Sequence, residues 1–167
     1  AVPHPDLLPT ERLNRLLARE VRLRPERTQS YDSIRGFADL RAQIARRMLD
    51  AGCTVDADDV ITTNGARHAL YLSLLAVVRA RDTVVVETPT YSGFLLVLEA
   101  LGVRVLEVAT DPRTGICLDG VARALRNHRV AACLLVPTFG NPLGHCMPES
   151  HRRELLGMKR DARADDL

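Results

Sequence analysis

The sequence predicts an α/β fold: a three-layer sandwich in which helices cover both faces of a mostly parallel sheet. Two predicted strands, at residues 83–87 and 131–136, carry continuous apolar stretches without alternating polar residues, which is typical of strands buried on both faces. Segments with helical spacing of apolar residues lie between these runs. Such an alternation of strand and helix indicates a parallel sheet between two helical layers.

The first third of the chain is predicted to be mainly helical. Residues 1–10 contain several prolines and are expected to form an extended arm, and Thr10 predicts the cap of a helix that runs to about Leu23. A polar loop is expected over residues 24–35. A second helix is predicted over residues 37–51, because apolar residues recur there at helical spacing.

The rest of the chain repeats a strand-and-helix pattern. The predicted elements are, in order, a strand (60–63), a helix (66–79), a strand (83–87), a helix (91–101), a strand (104–108), a helix (118–127), a strand (131–136) and a helix from residue 148 onward. Because the carboxyl ends of parallel strands meet at one edge of a sheet, the turns after them are expected to share one pocket.

Composition and charge exclude several classes of protein. The chain is 46% apolar and 26% charged, which is typical of a globular domain, and a net charge of +2 without a dense basic run argues against a DNA-binding surface. The four scattered cysteines form no CxxC pair, so we expect reduced thiols and no metal site. No apolar run approaches the roughly 18 residues that a membrane span needs, and the first residues lack the pattern of a secretion signal, so we expect a cytoplasmic protein.

An anion site is predicted at the turn that carries Gly65. The N–H groups of Gly65, Ala66 and Arg67 are expected to point outward at the positive end of a helix dipole. The small residues in this turn allow a phosphate to approach the backbone, and the side chain of Arg67 or Asn64 can add a donor. The alternative is that Gly65 merely forms a tight turn, and so short a motif does not decide between the two.

Two further side chains follow the predicted strands at the same edge. Tyr91 comes after Pro89, where its ring can stack on a flat cofactor. Asn141 precedes Pro142, which restricts its backbone and lets its amide donate to an oxyanion. On their own, a core or rim role for Tyr91 and a simple turn at Asn141 stay open as alternatives.

Together these motifs resemble the class I/II aminotransferases of fold type I, which use pyridoxal phosphate, and the resemblance covers nearly the whole chain. It implies an incomplete large domain of that fold over residues 31–167, preceded by an N-terminal arm and helix over residues 1–30.

The same resemblance implies roles for individual residues. The turn at residues 65–67 would hold the cofactor phosphate, Tyr91 would stack on the pyridine ring, and Asn141 would bind the phenolate oxygen of the ring. Tyr31 is similar to the family's tyrosine that reaches the phosphate of the neighbouring subunit. The resemblance therefore implies a homodimer with shared sites and a small-molecule amine or amino acid as ligand.

A narrower resemblance is to the aminotransferase-like domain of MocR-type regulators in the GntR superfamily. It rests on residues 3–9, on the segment from Tyr31 to Arg41, and on the motif at residues 137–148. In that group a winged helix-turn-helix precedes this domain, and nothing in the chain matches it. We expect DNA contact only through such a domain, which is missing or lies outside this chain.

No catalytic residue is assigned. Aminotransferase chemistry requires a lysine that forms a Schiff base, and Lys159, the only lysine, falls in a predicted surface helix, where it is expected to be a solvated charge. Asp165 resembles the start of the motif that pairs with the pyridinium nitrogen, but it follows Asn141 too closely and is left out of the site. We expect the chain to bind cofactor weakly at best and to be catalytically inert.

Two functions from different classes stay open on the sequence. One is the effector-binding sensor of a transcription regulator, which reports on an amine or vitamin ligand. The other is part of an aminotransferase, which moves an amino group from an amino acid to a 2-oxo acid. A winged helix-turn-helix encoded upstream would separate them. A degenerate remnant without ligand is a third reading, and the joint presence of Gly65, Tyr91 and Asn141 argues against it.

Overall fold

The computed structural model describes residues 4–164, with side chains described through Met158. The chain divides into two compact units, Ala1–Thr63 and Asn64–Leu167. All the described strands lie in the second unit. Among residues 4–164, no helix combines the length and the apolar character that a membrane crossing requires.

The first unit is helical within its described residues. Its α-helices are α1 (Thr10–Leu23), α2 (Pro25–Gln29) and α3 (Ala38–Asp50), and two 3-10 turns lie at Pro5–Leu7 and Ala57–Asp59. The first of these turns corrects the expectation of an extended arm over residues 1–10. Helix α2 corrects the expectation of a loop over residues 24–35, and it begins at Pro25 because a first-turn residue needs no N–H partner within the helix. Helix α3 ends close to its predicted end, since Gly52 adopts a φ of 84° and the Cys53 N–H bonds to the Met48 carbonyl at 2.8 Å.

The strand predicted at residues 60–63 is wrong. The Thr62 N–H donates to the Arg35 carbonyl at 3.0 Å, but no strand within the described part of this unit offers a ladder of such bonds. A two-residue apolar pair between polar neighbours therefore did not suffice to form a strand here.

The second unit is a sheet packed between helices on both faces. Its elements are α4 (Ala66–Val77), β1 (Thr83–Thr88), α5 (Ser92–Ala100), β2 (Arg104–Asp111), β3 (Gly115–Ile116), α6 (Leu118–Asn127), β4 (Val130–Leu134) and α7 (Glu149–Ala164). The strand order is β3-β2-β1-β4, with β1 parallel to both β2 and β4 and β3 antiparallel to β2. The predicted three-layer α/β class with a mostly parallel sheet is confirmed.

Strand β1 is central and divides the core in two. Val84 and Val86 pack with Leu98 in a cluster to which α4 and α5 contribute. Val85 packs with Val121 in a second cluster, to which α6 and α7 contribute. Because successive strand residues point to opposite faces, the continuous apolar run of β1 is what a strand between two helical layers requires.

The short strand β3 was not predicted. The Asp111 carboxylate accepts hydrogen bonds from the N–H groups of Arg113 at 2.7 Å and Thr114 at 3.1 Å, and this turn brings β3 back onto the end of β2. These backbone hydrogen bonds, that of Arg113 first, hold the pKa of Asp111 below its ordinary value. The stabilisation that the turn gains is therefore present above the unfolded-state pKa and is lost as the pH falls through the lowered pKa.

Candidate functional site

The segments that carry Tyr91 and Asn141 leave the sheet at its carboxyl edge. Strands β1 and β4 are parallel neighbours, so the segments that follow them emerge at the same edge. Helix α4 is joined to β1 by a short connection at residues 78–82, and Leu74 of α4 packs in one cluster with Val84 and Val86 of β1. That the start of α4 shares this edge stays a prediction.

Gly65 precedes α4 in a backbone conformation that other residues rarely adopt, with φ 88° and ψ 166°. The His68 N–H bonds to the Gly65 carbonyl at 3.1 Å, and the N–H groups of Ala66 and Arg67 come before this bond at the helix start. A Cβ built on Gly65 would meet nothing within 4 Å. The space beside this turn can therefore admit a ligand at the positive end of the helix dipole.

His68 was not singled out by sequence reasoning. Its Nδ1 accepts the N–H of Asn64 at 3.2 Å, which fastens the turn before α4 to the first turn of the helix. A ring nitrogen that accepts a hydrogen bond carries no proton, so this contact requires Nδ1 to be unprotonated. In the sequence, the only sign of this contact is the spacing of four residues between Asn64 and His68, which places the histidine one helical turn further on.

Tyr91 immediately precedes α5 and is half-buried. Its ring meets Phe94 edge to face, with the ring centres 5.5 Å apart and the planes at 85°. A Cβ built on Gly93 would lie 2.7 Å from Cζ and 2.9 Å from the hydroxyl oxygen of Tyr91. Glycine at position 93 therefore leaves the room in which the tyrosine ring lies.

Residues 137–147, named the Asn141 loop, follow β4. The Met147 N–H donates to the Pro137 carbonyl at 2.8 Å and closes the loop at its base, and the Gly140 N–H donates to the His145 carbonyl at 2.9 Å. The carboxamide of Asn141 is exposed and forms no hydrogen bond to any residue in the described part of the chain. It is available to a ligand.

Arg152, from the first turn of α7, binds the base of the Asn141 loop. Its Nε donates to the Met147 carbonyl at 3.0 Å, and its Nη2 donates to the Pro137 carbonyl at 3.1 Å and to the Thr138 hydroxyl at 2.9 Å. One guanidinium thus joins the two ends of the loop, and the planar fork of arginine suits several acceptors at once.

Replacing Arg152 with glutamine is expected to lower the free energy of unfolding by about 1–2 kcal/mol, because three loop acceptors lose a charged donor. Chemical denaturation followed by circular dichroism measures the change. Arg153→Gln is the matched control, since Arg153 is exposed and pairs only with Glu149 at 3.1 Å among the described residues. Equal losses in the two variants would contradict the role assigned to Arg152.

The structure adds two buried polar residues that were not predicted for the site, Glu87 and His145. One Glu87 oxygen accepts the Val136 N–H at 2.9 Å, and the other lies 3.5 Å from His145 Nε2. Neither ring nitrogen of His145 makes a hydrogen bond of good geometry within the described residues, so its approach to Glu87 is a close polar contact. A charged residue at the end of the apolar run of β1 was the signal that sequence reasoning passed over.

The other residues named from the sequence are Tyr31, Lys159 and Asp165. Tyr31 belongs to the first unit, and its side chain is fully exposed. Lys159 lies within α7 with its side chain outside the described part of the chain, and Asp165 falls outside the described residues.

The chain matches the family model of aminotransferase class I and II over residues 7–164, and it belongs to this family. It is 41% identical over 94% of its length to YjiR, an HTH-type transcriptional regulator of Escherichia coli, and 38% identical over 95% to YdcR, another such regulator of that organism. The crystal structure of LysN, an α-aminoadipate aminotransferase of Thermus thermophilus in complex with N-(5'-phosphopyridoxyl)-L-leucine, matches with a TM-score of 0.86 at 30% identity over 96% of this chain. The predicted family, and the predicted similarity to regulators, are confirmed.

The chain spans about a third of the length of the curated relatives, 33% of YjiR and 34% of YdcR, and 40% of the LysN chain. Its four-stranded sheet therefore corresponds to an incomplete large domain of fold type I.

Proposed function

We propose that this chain is part of the effector-sensing, pyridoxal-phosphate-binding domain of a MocR-type transcription regulator of the GntR superfamily. The observation that carries the proposal is the match to two HTH-type regulators along nearly the whole chain, at 41% and 38% identity. Contact with DNA would come from a winged helix-turn-helix outside these residues, and the ligand sensed would be a small amine or amino acid.

The residues at the carboxyl edge fit pyridoxal phosphate. The open space beside Gly65 and the N–H groups of Ala66 and Arg67 suit its phosphate, with the Arg67 side chain exposed beside them. The half-buried ring of Tyr91 suits stacking on the pyridine. The uncommitted Asn141 carboxamide suits the phenolate oxygen, to which it would donate a charge-assisted hydrogen bond.

Thr90, next to Tyr91, gives independent support. Its hydroxyl oxygen is buried and has no hydrogen-bond partner in the described part of the chain. A buried hydroxyl without a partner is costly, so a polar group of a ligand at this edge would stabilise it.

Bound pyridoxal phosphate supplies an electrophilic carbon and an electron sink for amine chemistry. The residues of this chain would bind and orient the cofactor. The turn at residues 65–67 would hold the cofactor's phosphate, Tyr91 would stack on its ring, and Asn141 would donate to its phenolate oxygen. Nothing in the described chain is assigned to proton transfer. We expect Lys159 to be a solvated charge rather than the amine that reacts with the cofactor.

A second candidate is part of an aminotransferase that moves an amino group from an amino acid to a 2-oxo acid. The similarity to LysN, at 30% identity and a TM-score of 0.86, favours it. A homodimer with Tyr31 reaching the neighbouring subunit's cofactor, and a cytoplasmic location, are further predictions under either function.

Titration of the full-length protein that carries this chain with pyridoxal phosphate, followed by absorbance, tests the proposal. We expect saturable binding, and we expect Asn141→Ala to weaken it about tenfold, because a hydrogen bond to a charged oxygen contributes roughly 1.5 kcal/mol. Asn127→Ala, at the exposed end of α6, is the control and should bind normally. Absence of binding by the unmodified protein would sink the proposal.

The same preparation separates the two candidate functions. A regulator should bind DNA and show no turnover with an amino acid and a 2-oxo acid. Amino transfer without DNA binding would favour the enzyme instead.

A further inference from the structure

Glu87 and His145 form a buried pair of polar side chains between the end of β1 and the Asn141 loop. The proposed cofactor contacts do not use this pair. The side chains of Glu87 and His145 are each 2% exposed. Glu87 belongs to β1, whereas His145 lies near the end of the loop. A carboxylate so far removed from water needs compensating partners, so its contacts indicate what this pair holds in place.

Glu87 contacts both ends of the Asn141 loop. Its Oε1 accepts the N–H of Val136, the residue just before the loop, at 2.9 Å. Its Oε2 lies 3.5 Å from Nε2 of His145, near the end of the loop. Asn141 lies between these two contacts along the chain, so one carboxylate on the central strand bridges the segment that presents the carboxamide.

Two glycines leave the room that the His145 ring occupies. A Cβ built on Gly140 would lie 2.5 Å from Nδ1 and 2.6 Å from Nε2, and one built on Gly115 would lie 3.2 Å from Cδ2 of the ring. Any larger residue at position 140 would displace the imidazole. The close packing therefore fixes the direction in which the ring faces Glu87.

We propose that Glu87 and His145 are positioning residues, which hold the Asn141 loop against the end of β1 so that the Asn141 carboxamide is ordered before the cofactor arrives. The inference rests on the proposed function for the identity of the ligand. An ordered loop loses less conformational freedom on binding than a free one, so its ordering raises affinity without adding a contact to the ligand.

Both members of the pair are required for this role. With His145 replaced by an apolar residue, the buried Glu87 Oε2 loses the polar group that lies 3.5 Å from it. With Glu87 replaced by glutamine, the Val136 N–H keeps an acceptor, but an amide takes the place of the carboxyl group that faces His145 Nε2.

The test uses four variants of the full-length protein that carries this chain. His145→Leu fills the space of the ring but cannot pair, and His145→Gln keeps an N–H donor. Glu87→Gln keeps an acceptor for Val136 and removes the charge. Glu149→Gln, which removes an exposed carboxylate from α7, is the control.

Two readouts are measured on each variant. The first is hydrogen exchange, without cofactor, at the amides of Gly140 and Gly144, which bond to the carbonyls of His145 and Gly140 inside the loop. The second is the affinity for pyridoxal phosphate together with the absorption maximum of the bound cofactor, which responds to a donor at its phenolate oxygen.

His145→Leu and Glu87→Gln are expected to exchange about tenfold faster at both amides and to bind the cofactor about tenfold more weakly, with a shifted absorption maximum. His145→Gln should recover most of both losses, and Glu149→Gln should match the unmodified protein.

Unchanged exchange in His145→Leu and Glu87→Gln overturns the positioning role, whether or not cofactor binds. Equal losses in His145→Leu and His145→Gln also overturn it, because then only the shape of the ring matters. If the unmodified protein does not bind the cofactor, the proposed function is wrong. The positioning role is then still tested, because the exchange rates are measured without cofactor.

Discussion

Replacing Leu98 with alanine is expected to lower the free energy of unfolding by about 3–4 kcal/mol, because it removes buried methyl groups and leaves a cavity. Leu98 has no exposed surface and packs with Val84 and Val86 of β1 on the face that α4 and α5 cover. The loss should appear as a lower midpoint in urea denaturation of the full-length protein, with an unchanged dependence on urea concentration.

Leu96 provides the matched control in the same helix. It is 59% exposed, so Leu96→Ala makes the same chemical change at the surface and should cost less than about 1 kcal/mol. Similar costs at the two positions would mean that the cluster around Leu98 does not form the core of this face.

Replacing Gly36 with alanine is expected to cost about 3 kcal/mol, for two reasons that add. Gly36 has a φ of 89°, which strains any other residue, and a Cβ there would lie 2.9 Å from Cβ of Thr62 and closer still to its hydroxyl. The Gly36 N–H bonds to the Ser33 carbonyl at 2.8 Å, so the turn that follows Tyr31 depends on this glycine.

Gly52→Ala separates the two costs. Gly52 has a similar φ of 84°, but nothing lies within 4 Å of a Cβ built there. The free energy of unfolding of Gly52→Ala should therefore fall by only about 1 kcal/mol, from backbone strain alone. Thermal unfolding of both variants measures the difference, and an equal loss would show that the Thr62 side chain moves aside at no cost.

The sheet was predictable wherever burial on both faces left a continuous apolar run. This is why β1 and β4 were found close to their limits, and helix α6, with its strongly amphipathic spacing, was predicted with the bounds it has. At Val60 and Ile61 the same reasoning failed, because a strand also needs a neighbour to pair with, and a local pattern carries no information about that neighbour.

The candidate site divides in the same way. Tyr91 and Asn141 were found because each lies between a strand and the next helix, where turn-forming residues mark the local sequence. Gly65 was found because a glycine stands directly before the helical spacing of α4, although no strand precedes it among the described residues. The contact of Glu87 with His145 was missed because it joins residues distant in sequence, and only the folded Asn141 loop brings His145 to the end of β1. Polar residues that meet only through tertiary packing produce no repeating pattern in the local sequence, so such a contact cannot be predicted from that pattern.

The alternation of burial along the end of the Asn141 loop has a practical consequence. His145 and Met147 are buried, and Cys146 between them is exposed with a free thiol. A small fluorescent tag attached there would sit on the segment that is proposed to receive the cofactor, without entering the core. With the exposed Cys53 and Cys117 changed to serine, the emission of this tag would report in real time when a ligand binds at the Asn141 loop.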